Sequence, residues 1–256
     1  MSLPRVPWSG QWQADADTLA GRVVLVTGAY GGLGAAVSRA AAAAGATVVI
    51  SGRRRRALEQ LYDAMIGEGL AEPVIHPLDL ETATPRDYEA LAEGLERDFG
   101  RLDGIVHAAA SFAGLTPLAV HQPDAWLRTL HVNVSAPFAL TQACLPLLGR
   151  ADDSAVVVIL DDPSLVNRAH WGAYGVAKAA LERYVEILHQ ETERGPVRAH
   201  ALLPPPMRTA LRREAYFGEN SARLPLPAVA APAVVHLLAP AGAAARGALL
   251  DLRQSA

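Results

Sequence analysis

The stretch Arg22-Val23-Val24-Leu25-Val26-Thr27-Gly28-Ala29-Tyr30-Gly31-Gly32-Leu33-Gly34 decides the fold of this chain. Residues 22–27 have the near-continuous apolar pattern of a strand buried on both faces. Residues 33–44 are alanine-rich with helical periodicity, and Gly45 supplies a C-terminal stop. The glycines at 28, 31, 32 and 34 therefore lie on a turn between strand and helix. Such a turn lets the backbone approach a phosphate closely. The helix N-terminus behind it offers unpaired N–H groups and a dipole that favours an anion. A glycine-rich turn with no ligand is the alternative, because short glycine motifs also match by accident.

Working outward, the periodicities alternate. Strands are expected at 47–51, 74–78, 102–107, 155–160, Val197–Leu203 and 247–252. Helices are expected at about 55–66, Pro85–Phe99, within 123–148, and at about 171–193. A proline-rich connection covers 204–227. Strands alternating with helices of this length imply βαβ units. The expected fold is a single α/β domain over 21–256, a Rossmann-type doubly wound sheet of about seven mostly parallel strands with helices on both faces. Residues 1–20, with Pro4, Pro7, Trp8 and Trp12, read as an N-terminal arm. Ligands of such sheets bind beyond the carboxyl ends of strands, where strand order reverses.

Composition narrows the function. Of 256 residues, 51% are hydrophobic, enough for a sizeable core, and the net charge of −3 suggests no nucleic-acid partner. No uninterrupted apolar run is long enough to imply a membrane span. Residues 1–12 lack a basic segment followed by an apolar one, so no secretory signal is expected. Cys144 is the single cysteine, which excludes an internal disulfide and suits a reducing cytoplasm. With no HxxxH or CxxC pair, no metal site is expected.

The segment after the second strand selects the cofactor. An acidic residue there bonds the adenosine ribose of NAD, whereas a basic one accommodates the 2′-phosphate of NADP. The sequence is Ser51-Gly52-Arg53-Arg54-Arg55-Arg56, with no acid, so NADP is favoured over NAD. Arg53 or Arg54 could hold the phosphate through a bidentate contact, while some of the four arginines form a solvated helix start. Asp79-Leu80, ending the third strand, could bond the adenine edge or serve as a turn. Further on, Tyr174-Gly-Val-Ala-Lys178 places a phenol and an ammonium one helical turn apart. A free phenol titrates near ~10, and a neighbouring ammonium stabilises the phenolate and lowers that value.

With these segments in this order, the chain resembles the short-chain dehydrogenase/reductase family over nearly all of residues 20–253. The matching features are the glycine turn at 27–34, Asp79-Leu80, Asn133 within His131-Val-Asn-Val, Tyr174 with Lys178, and Pro204 with Thr209. Asn167-Arg-Ala-His-Trp-Gly-Ala-Tyr174, Leu102-Asp-Gly and Arg208-Thr-Ala-Leu-Arg also look like a bacterial YciK-like subgroup. The resemblance implies an oxidoreductase that moves a hydride between the nicotinamide cofactor and a small carbonyl or alcohol. Tyr174 would be its general acid/base. Lys178 would lower the phenol pKa and bond the nicotinamide ribose, and Asn133 would hold a water that relays protons to Lys178. Gly28, Tyr30, Gly31, Gly32, Leu33, Gly34, Arg53, Arg54, Asp79, Leu80, Ala108, Ala109, Pro204, Met207 and Thr209, with Tyr174 and Lys178, would contact the cofactor. It also implies a homodimer or homotetramer built on the helices containing 133–148 and 174–193.

The pattern departs from the family in three places. The serine expected thirteen residues before the tyrosine is Asp161, with Asp162 beside it. Serine donates a hydrogen bond to a carbonyl, and an ionised carboxylate only accepts. Asp161 could be protonated and donate; it could recognise hydroxyl, amino or cationic groups; or reductase chemistry could be lost, leaving a dinucleotide-binding protein with a regulatory or assembly role. Ser164 lies three positions late and would need a register shift to replace the donor. The family's Asn-Asn-Ala-Gly is His107-Ala108-Ala109-Ala110, and its Pro-Gly turn is Pro204-Pro205-Pro206. Residues 205–226 form a candidate substrate lid, in which Leu211, Tyr216 and Phe217, with Phe112, Leu115 and Trp171, could enclose the pocket.

Overall fold

The computed structural model describes residues 3–254. Residues 1–2 of the expected arm and 255–256 of the expected domain lie outside the described residues. Strands β1 (Arg5–Pro7), β2 (Val23–Thr27), β3 (Thr47–Gly52), β4 (Val74–Pro77), β5 (Gly104–His107), β6 (Ser154–Ile159), β7 (Val197–Leu203) and β8 (Leu249–Asp251) form one sheet. Its order is β1-β8-β7-β6-β5-β2-β3-β4, and every pairing is parallel. The chain runs outward through β2, β3 and β4, then returns to place β5 on the other side of β2. The reversal of strand order therefore falls between β2 and β5, and the crevice beyond their carboxyl ends is the expected ligand site.

The helices are α1 (Gly32–Ala43), α2 (Arg55–Gly67), α3 (Pro85–Phe99), α4 (Pro123–Leu130), α5 (Ala136–Leu148), α6 (Pro163–Val166), α7 (Gly172–Thr192), α8 (Ala210–Ala215) and α9 (Ala231–Leu238). Alternate residues of each central strand feed opposite cores. Val24, Val26, Val48 and Ile50 pack with α1, α2 and α9, whereas Val23, Leu25, Val49 and Ile105 pack with α3, α5 and α7. Burial on both faces is why β2 reads VVLVT with no polar alternation. Local signals also set the ends of α3. Thr84 and Asp87 form a capping box, Pro85 opens the helix, and Gly100 closes it at φ 68°. Between α4 and α5, residues His131–Ser135 widen into a π-helical turn that carries Asn133.

Besides the short helices α6 and α8, which fall where no helix was expected, two elements differ from the sequence expectation. The eighth strand, β1, comes from the N-terminal segment: Arg5–Pro7 pairs with Leu249–Asp251, and Trp8 N–H donates to the Asp251 carbonyl at 3.0 Å. Three exposed residues ending in proline carry no alternation to read, and proline is tolerated at this sheet edge. The second is α9, which is apolar nearly all round and so has no amphipathic period. The 18-residue window Ser221–Leu238 has the length and mean hydropathy (1.3) of a bilayer span, which the sequence expectation did not include. In the fold this window is divided into two 3-10 turns, Ser221–Arg223 and Pro227–Ala230, followed by α9 buried against α1 and β6.

Candidate active site

The glycine turn is built by steric necessity. Gly28 has φ 64°, and a Cβ there would lie 2.6 Å from Ala109 Cα. Ala108 and Ala109, ending β5, thus bring their backbone against the turn that ends β2. A Cβ on Gly34 would collide with the Gly28 carbonyl, so α1 starts directly behind the turn. Gly31 precedes α1 without a side-chain cap, and the first turn contains no acidic residue. Its N–H groups are left for an anion from outside.

A cleft of about 580 Å³ runs from this turn across the sheet ends. It is lined by Gly28, Tyr30, Gly31, Gly32, Leu33, Gly34, Arg53, Arg54, Asp79, Leu80, Ala108, Ala109, Asp161, Tyr174, Lys178, Pro204, Met207 and Thr209. At one end, the Arg54 guanidinium lies 4.7 Å over the Tyr30 ring, which packs so tightly on Gly52 that a Cβ there would come within 2.6 Å. Arg53 pairs at 3.3 Å with Glu81, whose N–H donates to Asp79 Oδ1 at 3.0 Å. Arg55 pairs with Glu59 along α2 and forms the solvated helix start.

At the other end stands Tyr174, only 4% exposed. Its hydroxyl donates to Asp161 Oδ2 at 2.9 Å, and the Asp162 N–H donates to Asp161 Oδ1 at 2.7 Å. Lys178 Nζ donates to the Ile159 carbonyl at 2.8 Å and lies 5.4 Å from the centre of the Tyr174 ring. Burial and the Asp161 carboxylate raise the phenol well above its ordinary pKa. The expectation that Lys178 lowers it is not met in this arrangement, because the ammonium is directed to a backbone carbonyl and the carboxylate contacts the phenol. Burial in turn lowers the Lys178 ammonium to about 8. Asp162 caps α6 and pairs with Arg253 at 2.6 Å, so it is structurally engaged. Ser164 sits on α6, exposed and outside the cleft lining, and the register shift that would make it a donor does not occur.

Asn133 does not line the cleft. It is buried behind it, where Nδ2 donates to the Ser111 and Thr129 carbonyls, both at 2.8 Å, and Oδ1 accepts from the Ser111 N–H at 3.1 Å. It thereby fixes the wall formed by Ser111 and Phe112. His107 is buried with Nε2 2.8 Å from Thr141 Oγ1, and burial lowers its pKa to about 3.

Of residues 205–226, those that border the cleft lie between Pro205 and Tyr216. Arg208 bonds the Ser221 and Ala222 carbonyls, and Thr209 caps α8 by accepting from the Arg212 N–H. Phe112, Trp171, Tyr174 and Tyr216 make an aromatic wall, with ring centroids 5.4 to 5.8 Å apart. Two expected members lie elsewhere: Phe217 is 93% exposed, Leu115 is 42% exposed, and neither lines the cleft. Adjacent residues on a short helix end and loop face different sides, and this segment has no periodicity from which to choose. Arg212 was missed: it lines the cleft, stacks 3.7 Å over Tyr216, and is held by Glu219 at 2.7 and 2.8 Å. The sequence marked it only as the last residue of Arg208-Thr-Ala-Leu-Arg, and its position seven residues before an acid on a looping segment did not show that it faces the cleft.

A parallel sheet with a glycine turn at its reversal point and a tyrosine–lysine helix bordering the same crevice defines a nucleotide-binding oxidoreductase. The sequence profile described as short chain dehydrogenase matches residues 22–219, and the chain belongs to that family. It is 33% identical over 227 residues to the oxidoreductase YciK of Escherichia coli strain K12, covering 89% of this chain and 90% of that protein. Its fold is similar to that of a short chain dehydrogenase from Escherichia coli CFT073 complexed with NADPH. That match has a TM-score of 0.88 and 34% identity, covering 93% of this chain and 98% of that one. A short chain dehydrogenase from Shigella flexneri 2a strain 301 complexed with NADP matches with a TM-score of 0.88 and 33% identity. It covers 93% of this chain and 99% of the other.

Proposed function

We propose that this protein is an NADP(H)-dependent oxidoreductase whose reacting bond lies beside the Tyr174 hydroxyl. The carrying observation is that Tyr174 and Lys178 border the same cleft that begins at the uncapped N-terminus of α1. The NADP and NADPH complexes of similar chains support the cofactor, as do Arg53 and Arg54 at the cleft's outer end. The glycine turn and α1 would hold the pyrophosphate, and Arg53 and Arg54 the 2′-phosphate. Asp79 and Leu80 would flank the adenine, Ala108, Ala109, Pro204, Met207 and Thr209 the rest of the cofactor, and Lys178 the nicotinamide ribose. When bound, the cofactor supplies or accepts a hydride. Tyr174 holds the proton at the reacting atom, with a carbonyl or alcohol as the family's usual substrate, and Asp161 stands in the serine's place. Asn133 fixes Ser111, and a water between it and Lys178 completes the proton relay.

Residues 205–226 act in this proposal as the substrate lid over a single domain, with the N-terminal segment as its arm. Exposed Leu127, Phe138, Val176 and Ile187 on α4, α5 and α7 support a homodimer or homotetramer. A cytoplasmic location belongs to the same reading, which includes no nucleic-acid or membrane partner.

One observation favours a second reading, dinucleotide binding without turnover in a regulatory or assembly role. Asp161 accepts a hydrogen bond from the phenol and so holds the proton on Tyr174. The deciding measurement is NADPH oxidation over a panel of small carbonyl and imine compounds. Loss of an acid/base group lowers turnover by about 10²–10⁴-fold, and Tyr174→Phe is expected to fall in that range. An unchanged rate in Tyr174→Phe would remove the assigned role. Turnover absent in the wild type and gained in Asp161→Ser would favour the binding protein.

A further inference from the structure

The hydrogen bonds around Asp161 specify what kind of atom can react there. Both of its oxygens accept, Oδ2 from the Tyr174 hydroxyl and Oδ1 from the Asp162 N–H. With its proton directed at the carboxylate, Tyr174 offers an incoming group the lone pairs of its own oxygen. A carboxylate oxygen likewise retains lone-pair capacity beyond one bond. The Asp161–Tyr174 pair at the reacting end of the cleft therefore presents acceptors. A carbonyl oxygen, itself only an acceptor, would face them without a partner. A protonated carbon–nitrogen double bond would not, because its N–H groups can donate to both.

Charge gives the same answer. Arg212 is held by Glu219, and Arg253 by Asp162 and Asp251. Lys178 donates to the Ile159 carbonyl. Asp161 has no ion-pair partner among the described residues, although it borders the cleft. Around it stand Phe112, Trp171 and Tyr216, and aromatic faces attract a desolvated cation. The Lys178 and Arg212 charges act on Asp161 from farther off, and a carboxylate that neither of them engages in a salt bridge, set in an aromatic wall, is suited to a cationic nitrogen.

We propose that the bond reduced in this site is a carbon–nitrogen double bond in its iminium form, or in the reverse direction the corresponding amine, rather than a carbonyl. This rests on the oxidoreductase reading above and names its substrate class, with Tyr174 acting toward an iminium as a hydrogen-bond acceptor in place of the proton donor that a carbonyl would need. The step balances without a proton from the protein. A hydride from a reduced nicotinamide forms the new C–H bond, and the C=N π pair moves onto nitrogen. The nitrogen, protonated before binding, becomes a neutral amine, and the nicotinamide is oxidised. Asp161 orients the N–H and stabilises its positive charge, and the Tyr174 oxygen takes the second N–H where nitrogen carries two. The raised pKa of the phenol fits this division of labour. A phenol that holds its proton firmly is a weak acid toward a carbonyl and an undisturbed acceptor toward an iminium.

The test compares 3,4-dihydroisoquinoline with 1-tetralone, a ketone on a similar bicyclic ring, as substrates with NADPH near neutral pH. In parallel, binding of 1,2,3,4-tetrahydroisoquinolinium is read by tryptophan fluorescence, to which Trp171 contributes. The wild type should oxidise NADPH at least about tenfold faster with the imine, and Asp161→Ser should reverse the preference. Loss of a charge-assisted bond weakens binding about tenfold or more, so Asp161→Asn should bind the ammonium at least that much more weakly. NADPH affinity of each variant reports whether it is folded. A wild type that prefers the ketone, or an ammonium affinity unmoved by Asp161→Asn, overturns the proposal. Asp161-dependent ammonium binding without oxidation of NADPH by either substrate supports the nitrogen site and counts against the oxidoreductase reading. Absence of both binding and imine turnover overturns the substrate class.

Discussion

Arg53 and Arg54 differ from the two arginines that follow them in where their side chains stand, not in chemistry. Arg54 is stacked on Tyr30, which orders the guanidinium and leaves its N–H edge available to a phosphate. Arg53 is 59% exposed and bound to Glu81 at 3.3 Å, an exposed pair worth little and easily exchanged. Replacing both by Ala should weaken NADPH about 10- to 100-fold, the loss expected for a charge-assisted bidentate contact. NADH affinity should change little; equal loss for both in a binding titration would remove the phosphate assignment. The basic run after the second strand was legible as a preference for NADP. Arg53 and Arg54, the two named from the sequence, are the two of the run that line the cleft, whereas the pairing that holds Arg55 on Glu59 one helical turn away was not legible. Asp161 shows the same limit. Its spacing from Tyr174 marked it as the serine's replacement, but only the fold directs its carboxylate onto the phenol.

The β2–turn–α1 unit has its conformation fixed by atoms far off in sequence. Gly28 adopts φ 64°, and the atoms its Cβ would strike belong to Ala108 and Ala109 at the end of β5. Gly28→Ala therefore combines left-handed strain, about 1–3 kcal/mol, with a collision against backbone. We expect a melting temperature several degrees lower and weaker NADPH binding. A variant that melts and binds like the wild type would show that the turn is not tight. The glycine pattern was readable from the order of strand, turn and helix. The small residues at 108 and 109 were readable only as permissive of close approach. That they form the opposing wall follows from the parallel pairing of β2 with β5, a non-local event. The π-helical turn at His131–Ser135 was legible only as part of a longer helical region.

Across the whole molecule, burial of neutral histidines couples stability to pH. His107 at the end of β5 and His200 in β7 are buried, and desolvation lowers each from 6.5 to about 3. The folded state holds them neutral, whereas the unfolded chain protonates them below about 6.5, so it binds more protons in that window. Stability should be at its full value above pH 6.5 and fall as pH drops toward 3, by about 1.4 kcal/mol per pH unit for each histidine. Denaturant unfolding at pH 7 and pH 5 checks this: His107→Gln should flatten the dependence by about half, and a pH-independent wild type would contradict it. Arg198 shows a related constraint. Almost fully buried in β7, it donates to Asp153 and to the Leu237 and Ala239 carbonyls, tying the end of α9 to the sheet. By itself the sequence determined the alternating α/β order, the glycine turn, the bias toward NADP, and the Tyr174–Lys178 pair with Asp161 in place of a donor. These are carried by local periodicity and by spacing along one helix or turn. Tertiary structure alone decided the N-terminal edge strand, which of residues 205–226 face the cleft, the direction of the Lys178 ammonium, and the hydrogen bond from Tyr174 to Asp161. Each of these depends on which distant backbone comes to lie within hydrogen-bond reach, and no sequence period encodes that.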